Sequence, residues 1–204
     1  WRVIPEASTR VAELQRGGVQ LIQSVPAAKY EVVKNLPNAT LKPVVSGCRQ
    51  VLWANNNDPR FSDMRVRQAL NYAVDWDLVN DAFFNGTVPR MVINVNKPWL
   101  NEDLKPYPYD PEKAVALIEE AGWRLNSDGI YEKDGVTMEF DVMTYYEGTS
   151  ERVEILTAVL GMFKDIGIDA KAKPTERSVA FAKMDAHDIG PMLFAASCSS
   201  FEGE

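Results

Sequence analysis

Hydrophobic positions along the chain switch repeatedly between a spacing near 3.6 residues and strict alternation. The clearest helical stretch follows Phe61, where Val66, Ala69, Leu70, Ala73 and Val74 fall at i, i+3, i+4, i+7 and i+8. That spacing makes one apolar stripe on an amphipathic helix. Asp63 stands where a carboxylate caps the N-terminus, and Asp75 stands likewise before a second helix. There Leu78, Val79, Ala82 and Phe83 form the expected inward face, and Gly86 ends it. Asp110-Pro111 opens a third helix, with proline at the first helical position. Its stripe is Ala114, Leu117, Ile118 and Ala121, and Gly122 suits the left-handed C-terminal position. Ser150 to Asp165 makes a fourth, with Val153, Leu156, Leu160 and Phe163 inward and Gly167 as its breaker. Shorter helices are expected over Thr9 to Arg16, closed by Gly17-Gly18, after Pro26, and over Ser178 to Met184.

Strands fill the intervals. Val136, Met138, Phe140 and Val142 alternate with Thr137, Glu139 and Asp141, so one face of that strand is buried. Lys133-Asp134-Gly135 separates it from Ile130-Tyr131, which is a hairpin signal. Ile168 to Ala172 and Ile189 to Ala196 are further strands. Trp1 to Ile4, Val19 to Ile22, Leu41 to Val45 and Val51 to Ala54 are short apolar runs expected to be strands as well. Gly86 to Leu104 shows no period and contains two prolines, as a long surface connection would. Strands and helices thus alternate over most of the length, which predicts an α/β fold with helices covering mixed sheets.

Composition narrows the functional classes. The chain has 204 residues, 46% hydrophobic and 25% charged, enough for a substantial core and for one or two domains. Its net charge is −7, with 22 Lys and Arg dispersed among 29 acids. No basic stripe exists to hold a phosphate backbone, so no nucleic-acid partner is expected. No apolar run reaches the length of a membrane span. A secretory signal is not found, and the chain opens on Trp1, as a segment of a longer protein would. Two cysteines, Cys48 and Cys198, lie far apart with no Cys/His cluster near either, so no metal site is expected. They fit two buried thiols or one long-range disulfide.

Catalytic constellations are missing. His187 is the single histidine, set in a polar turn with Asp185 and Asp188 and no nucleophile motif. Gly17-Gly18 lacks the pattern of a phosphate-binding loop and reads as a helix stop. Trp53 ends a strand just before the polar turn Asn55-Asn56-Asn57-Asp58-Pro59. It fits a core aromatic followed by a turn, and equally a strand that presents polar groups at a cleft.

Three motifs then carry a resemblance. FSDMRVRQALNYAVD, Phe61 to Asp75, resembles the signature of the family-5 extracellular solute-binding proteins, the ligand-capturing parts of ABC importers for oligopeptides, dipeptides and nickel. Pro108 to Ala114 leading to Glu120-Ala121-Gly122-Trp123 is similar to that family's Tyr-Asp-Pro helix closing in Ala-Gly-Trp. Ile4 to Arg10 with Gly17-Gly18-Val19 is similar to the segment before a Gly-Glu-Val-Asp, although Gly18 and Gln20 replace its acids here.

The resemblance implies a partial α/β binding fold, periplasmic-binding-protein-like class II, with mixed sheets covered by helices. Residues 1–56 would be the late portion of a discontinuous first lobe, 57–194 the C-terminal lobe, and 195–204 a truncated return strand or hinge segment. It implies a monomeric, non-enzymatic, cofactor-free protein, periplasmic or extracellular, soluble or membrane-anchored as a lipoprotein. Such a protein encloses a small molecule or peptide between two lobes and delivers it to the transmembrane subunits of an ABC permease. The expected ligand-binding residues are Trp53, Asn55 and Asn56 from the outgoing strand and Ser197, Ser199 and Ser200 from the returning one. By the same comparison Cys48 and Cys198 lie near two places where some relatives form a disulfide, a pairing suited to an exported protein. The alternative is a ligand-sensing module of a transcription regulator built on the same binding fold.

Overall fold

A computed structural model describes residues 2–23, 25–42, 48–88, 101, 103–145 and 151–198. The chain divides into two compact units, Trp1–Val45 with Asn80–Val88, and Ser46–Val79 with Pro89–Glu204.

In the first unit, α1 (Ala7–Gln15) is capped by Glu6, whose carboxylate accepts from the Ser8 and Thr9 amides. The Thr9 and Ser8 hydroxyls and amides hold that carboxyl down at about 2. Gly17 closes the helix at φ +77°. Glu13 is buried and paired with Arg16, and Arg2 approaches it to 3.6 Å. A Cβ at Gly18 would overlap the Glu13 carboxylate. An acid at position 13 therefore fills the space a side chain at 18 would need. A short 3₁₀ turn leads into α2 (Tyr30–Lys34). The strands expected over 1–4 and 19–22 are not formed at residues 2–4 and 19–22. Val3 and Leu21 are among the most exposed apolar residues, and among the described residues no partner strand meets them. Of the strand expected over 41–45, residues 41 and 42 are not extended in a ladder, and the rest lies outside the described residues.

The second unit is built on a four-stranded sheet. Its strands are β1 (Cys48–Ala54), β5 (Glu139–Tyr145), β6 (Asp169–Thr175) and β7 (Met192–Cys198), in the order β1-β7-β5-β6. A three-stranded sheet joins β2 (Arg124–Leu125), β3 (Tyr131–Lys133) and β4 (Val136–Thr137). β5 runs parallel to both neighbours, and β1 is antiparallel to β7. The β3–β4 turn has φ +52° at Asp134 and +79° at Gly135, the geometry that suits a tight hairpin. The alternating run 136–142 is divided between the sheets at Met138. That residue's amide donates to the Tyr131 carbonyl, and its carbonyl accepts from the Asp169 amide.

Helices cover the large sheet. α6 (Glu151–Asp165) packs along β6 and buries Leu156, Val159, Leu160 and Phe163. α7 (Arg177–Asp185) lies on β5, where Ala180 joins Met143, Tyr145, Leu193 and Ala195 in one cluster. α3 (Met64–Tyr72) packs on α5 (Pro111–Glu120). Both are capped as expected: Asp63 accepts from the Arg65 amide at 2.8 Å and Asp110 from the Lys113 amide at 2.9 Å. Three cations then converge on the end of α5. Arg65, Arg124 and Lys133 donate to the carbonyls of Glu120, Glu119 and Ala121, as the dipole of a helix C-terminus favours. In α4 (Trp76–Phe84) Val79 is buried, but Leu78 and Ala82 of the expected inward face are exposed.

Candidate functional site

In a sheet with parallel strands, ligands gather outside the carboxyl ends of the strands, where successive connections diverge to opposite sides. Here β5, β6 and β7 end on one edge, at Tyr145, Thr175 and Cys198, and antiparallel β1 begins there. The chain leaves β5 by α6 to reach β6 on one side. It leaves β6 by α7 to reach β7 on the other side of β5. Both helices therefore start at this edge.

The edge carries a row of rings and guanidinium groups. Arg152, in the first turn of α6, donates through Nη1 to the Tyr145 carbonyl at 3.0 Å and lies 4.4 Å from the centre of the Tyr145 ring. Tyr145 meets Phe181 of α7 at 5.3 Å between ring centres, and Arg177 lies 5.2 Å from the Phe181 ring. The Tyr145 hydroxyl points to the Ala196 carbonyl at 3.5 Å. Among the described residues, Arg152 Nε and the hydroxyl of wholly buried Thr144 have no hydrogen-bond partner.

The expected ligand-binding residues separate into two groups. Ser197 stands opposite Arg49 in the β1–β7 ladder, at the carboxyl edge, whereas Trp53 stands opposite Leu193, four pairs away. At the rise of a strand that is roughly 13 Å. Trp53 packs against the Met143–Tyr145–Leu193 cluster beneath α7. Asn55 is tied into the turn: its amide donates to the Pro191 carbonyl, its side-chain Nδ2 to Gly190, and its Oδ1 accepts from the Asn57 amide. Asn56 is exposed on that turn. Ser199 and Ser200 lie outside the described residues. Cys48 pairs with Cys198 in the ladder register. Sequence reasoning passed over Arg152, for which the available cue was a basic residue in a helix's first turn, against the dipole.

Elsewhere a hollow of about 260 Å³ is lined by Arg124, Leu125, Asn126, Glu132, Lys133 and Asp134. Its two cations are already turned to the end of α5. Among the described residues no group of three or more His, Cys, Asp or Glu could hold a metal, and no helix is long and apolar enough to cross a membrane.

Comparison with known proteins gives this geometry a setting. The oligopeptide-binding protein AppA of Bacillus subtilis is 30% identical over 209 residues, which is 98% of this chain and 38% of AppA. AppA solved in complex with a nonapeptide superposes with a TM-score of 0.81 at 27% identity, covering 99% of this chain and 41% of that one. NikA of Brucella suis, solved with Fe(III)-EDTA, gives a TM-score of 0.78 at 27% identity over 96% of this chain and 40% of NikA. The heme-binding protein A of Haemophilus influenzae is 35% identical over 124 residues, 59% of this chain and 22% of that protein. The chain thus spans about two fifths of the length of AppA and NikA. These relatives are named as solute-binding proteins rather than enzymes, and the structural neighbours share the periplasmic-binding-protein fold with its helix-covered mixed sheets. The model of the bacterial extracellular solute-binding proteins, family 5 (middle), matches residues 1–202, and the chain belongs to that family.

Proposed function

We propose that the chain is part of the substrate-binding component of an ABC importer, one that captures a peptide outside the cytoplasm and hands it to the transmembrane subunits of the permease. The family match over residues 1–202 carries this reading. Similarity to AppA over nearly the whole chain supports a peptide over a metal chelate. On this reading the protein is a monomer without catalytic activity, exported to the periplasm or cell surface. Residues 1–56 then form the late portion of the discontinuous first lobe, 57–194 the C-terminal lobe and 195–204 the return segment.

On the same reading the carboxyl edge of the large sheet is the ligand-facing part of the second unit, and Ser197, Ser199 and Ser200 are the ligand contacts expected from the return segment. Trp53, Asn55 and Asn56 act in packing and turn formation. Opposite residues in an antiparallel ladder have Cα atoms about 4.5–5.5 Å apart, within the range a disulfide spans, which supports a Cys48–Cys198 bond. Isothermal titration of the full-length protein against peptides, nickel chelates and oligosaccharides tests the function. Saturable binding of peptides is expected, and silence against all three ligand classes would refute solute capture.

A further inference from the structure

We propose that Asn85, where α4 stops, is a site of spontaneous covalent change: the Gly86 backbone nitrogen displaces its side-chain amide, and the residue becomes aspartate or isoaspartate. The inference is independent of the solute-binding reading above and concerns the lifetime of the folded chain.

The sequence supplies the reacting pair. A cyclic imide forms when the backbone nitrogen after an asparagine attacks that residue's Cγ, and a side chain on the following residue obstructs the approach. Glycine has none. Asn85-Gly86 is the one place in the 204 residues where glycine follows asparagine. The step balances with water alone. The Gly86 nitrogen gives up its proton and bonds to Asn85 Cγ, and the side-chain amide leaves with that proton as ammonia. Water then adds to either imide carbonyl and reopens the ring. Opening at one carbonyl leaves aspartate; opening at the other routes the backbone through the former side chain, as isoaspartate.

The fold exposes this pair and also restrains it. Asn85 and Gly86 are both exposed. Both are left-handed, at φ +51° and +67°, as residues that end a helix often are. The Gly86 amide donates to the Asn80 carbonyl at 3.1 Å. The Thr87 amide and hydroxyl donate to the Phe84 carbonyl at 3.0 and 2.6 Å, and the Val88 amide donates to Asn80 Oδ1 at 3.1 Å. The attacking nitrogen is thus engaged as a donor. A Cβ at Gly86 would lie 2.9 Å from Asp81 Oδ1, so a carboxylate also rests against the glycine. An accepting carbonyl and a nearby negative charge both oppose loss of the amide proton. The reaction is therefore gated by opening of these bonds, and a helix end whose bonds are exposed is where a fold opens most readily.

The product favours the open form. It places a negative charge at the C-terminus of α4, where the helix dipole is already negative, and beside Asp81. Isoaspartate further lengthens the backbone by one carbon between Phe84 and Gly86, so the Gly86–Asn80 and Thr87–Phe84 bonds no longer align. One conversion is a one-way release of the turn after Phe84.

The test incubates the full-length protein, folded and in urea, in mildly alkaline buffer. The peptide containing Asn85 is followed by mass and by chromatographic separation of aspartate from isoaspartate. Conversion in the folded protein is expected at Asn85 ahead of every other asparagine, and roughly tenfold or more slower than in the unfolded chain, as an opening step requires. Thr87→Val, which removes the hydroxyl bond to Phe84, should bring the folded rate several-fold closer to the unfolded one. Asn85→Asp should speed hydrogen exchange at the Gly86 and Thr87 amides several-fold. Sheet amides should keep wild-type protection in both variants, which shows that they are folded. Folded protein left unconverted while the unfolded chain reacts to completion would overturn the site, as would earlier conversion at another asparagine. Equal rates folded and unfolded, or a Thr87→Val rate unchanged from wild type, would overturn the gate.

Discussion

Phe61 opens the stretch that most resembles the family signature, and the structure makes it a packing residue. Its side chain is fully buried and meets Phe140 edge to face, with ring centres 5.2 Å apart and planes at 86°. Arg60 lies 5.8 Å from the other ring, so the loop before α3 is fixed to β5 by a short aromatic and cationic stack. Truncating a buried phenylalanine to alanine removes its transfer energy and leaves a cavity, together about 3–5 kcal/mol. For a chain of this size that lowers Tm by roughly 6–20 °C. The edge-to-face contact can be measured separately. A double-mutant cycle of Phe61→Leu and Phe140→Leu, read by urea denaturation, should give a coupling energy of about 1 kcal/mol. Ligand affinity of the folded variants should match wild type, because neither ring reaches the carboxyl edge. A loss below about 1.5 kcal/mol for Phe61→Ala, or a coupling within about 0.3 kcal/mol of zero, would refute this account of the signature.

Three further outcomes follow from particular contacts. The Asp63 carboxyl is held at about 2, foremost by the Arg65 guanidinium, against 3.8 in the absence of the fold. A depressed carboxylate stabilises above its unfolded value and loses that contribution as pH falls through the folded one. The stability gap between wild type and Asp63→Asn should therefore be flat above about pH 4 and shrink between pH 4 and 2; a gap undiminished at pH 2 removes the Arg65 explanation. Gly167 has φ +84°, and a Cβ there would lie 2.9 Å from Leu125 Cδ2 and 3.1 Å from Tyr131 Cδ2. Gly167→Ala should cost about 2–3 kcal/mol in urea denaturation, and a neutral effect would contradict the crowding. If Cys48 and Cys198 are bonded, the unreduced protein should titrate no thiol after denaturation, and reduction should cost about 2–4 kcal/mol. Two titratable thiols would dismiss the pairing.

Most of the second unit was legible because its elements are punctuated locally. Asp63, Asp110-Pro111, Gly122 and Gly167 each act on a backbone group within a few residues, and each stands where the spacing put it. The short runs at 2–4 and 19–22 were not legible, because an isolated apolar run becomes a strand only if a distant strand meets it. The division of the alternating run at Met138 left no trace either, since alternation continues unchanged while the partner strand changes. Ladder register also separates the expected site residues. Trp53 and Ser197 were expected together as residues of an outgoing and a returning strand. An antiparallel pair, however, sets the beginning of one against the end of the other, so Ser197 meets Arg49. Arg152 escaped notice because one arginine in a helix is ordinary, and its seat on the Tyr145 ring exists only once α6 packs on the sheet.

Met138 has a consequence for how the second unit comes apart. The small sheet consists of strands of two and three residues, too little to persist in water by itself. Met138, one fully buried residue, closes the hairpin on Tyr131 through its amide and ties it to β6 through its carbonyl, and the Tyr131 amide in turn holds the Gly167 carbonyl. The little sheet therefore has no melting point of its own. It borrows the cooperativity of its larger neighbour, so sequence drift at exposed Ser127 and Asp128 can proceed freely while change at Met138 would register throughout.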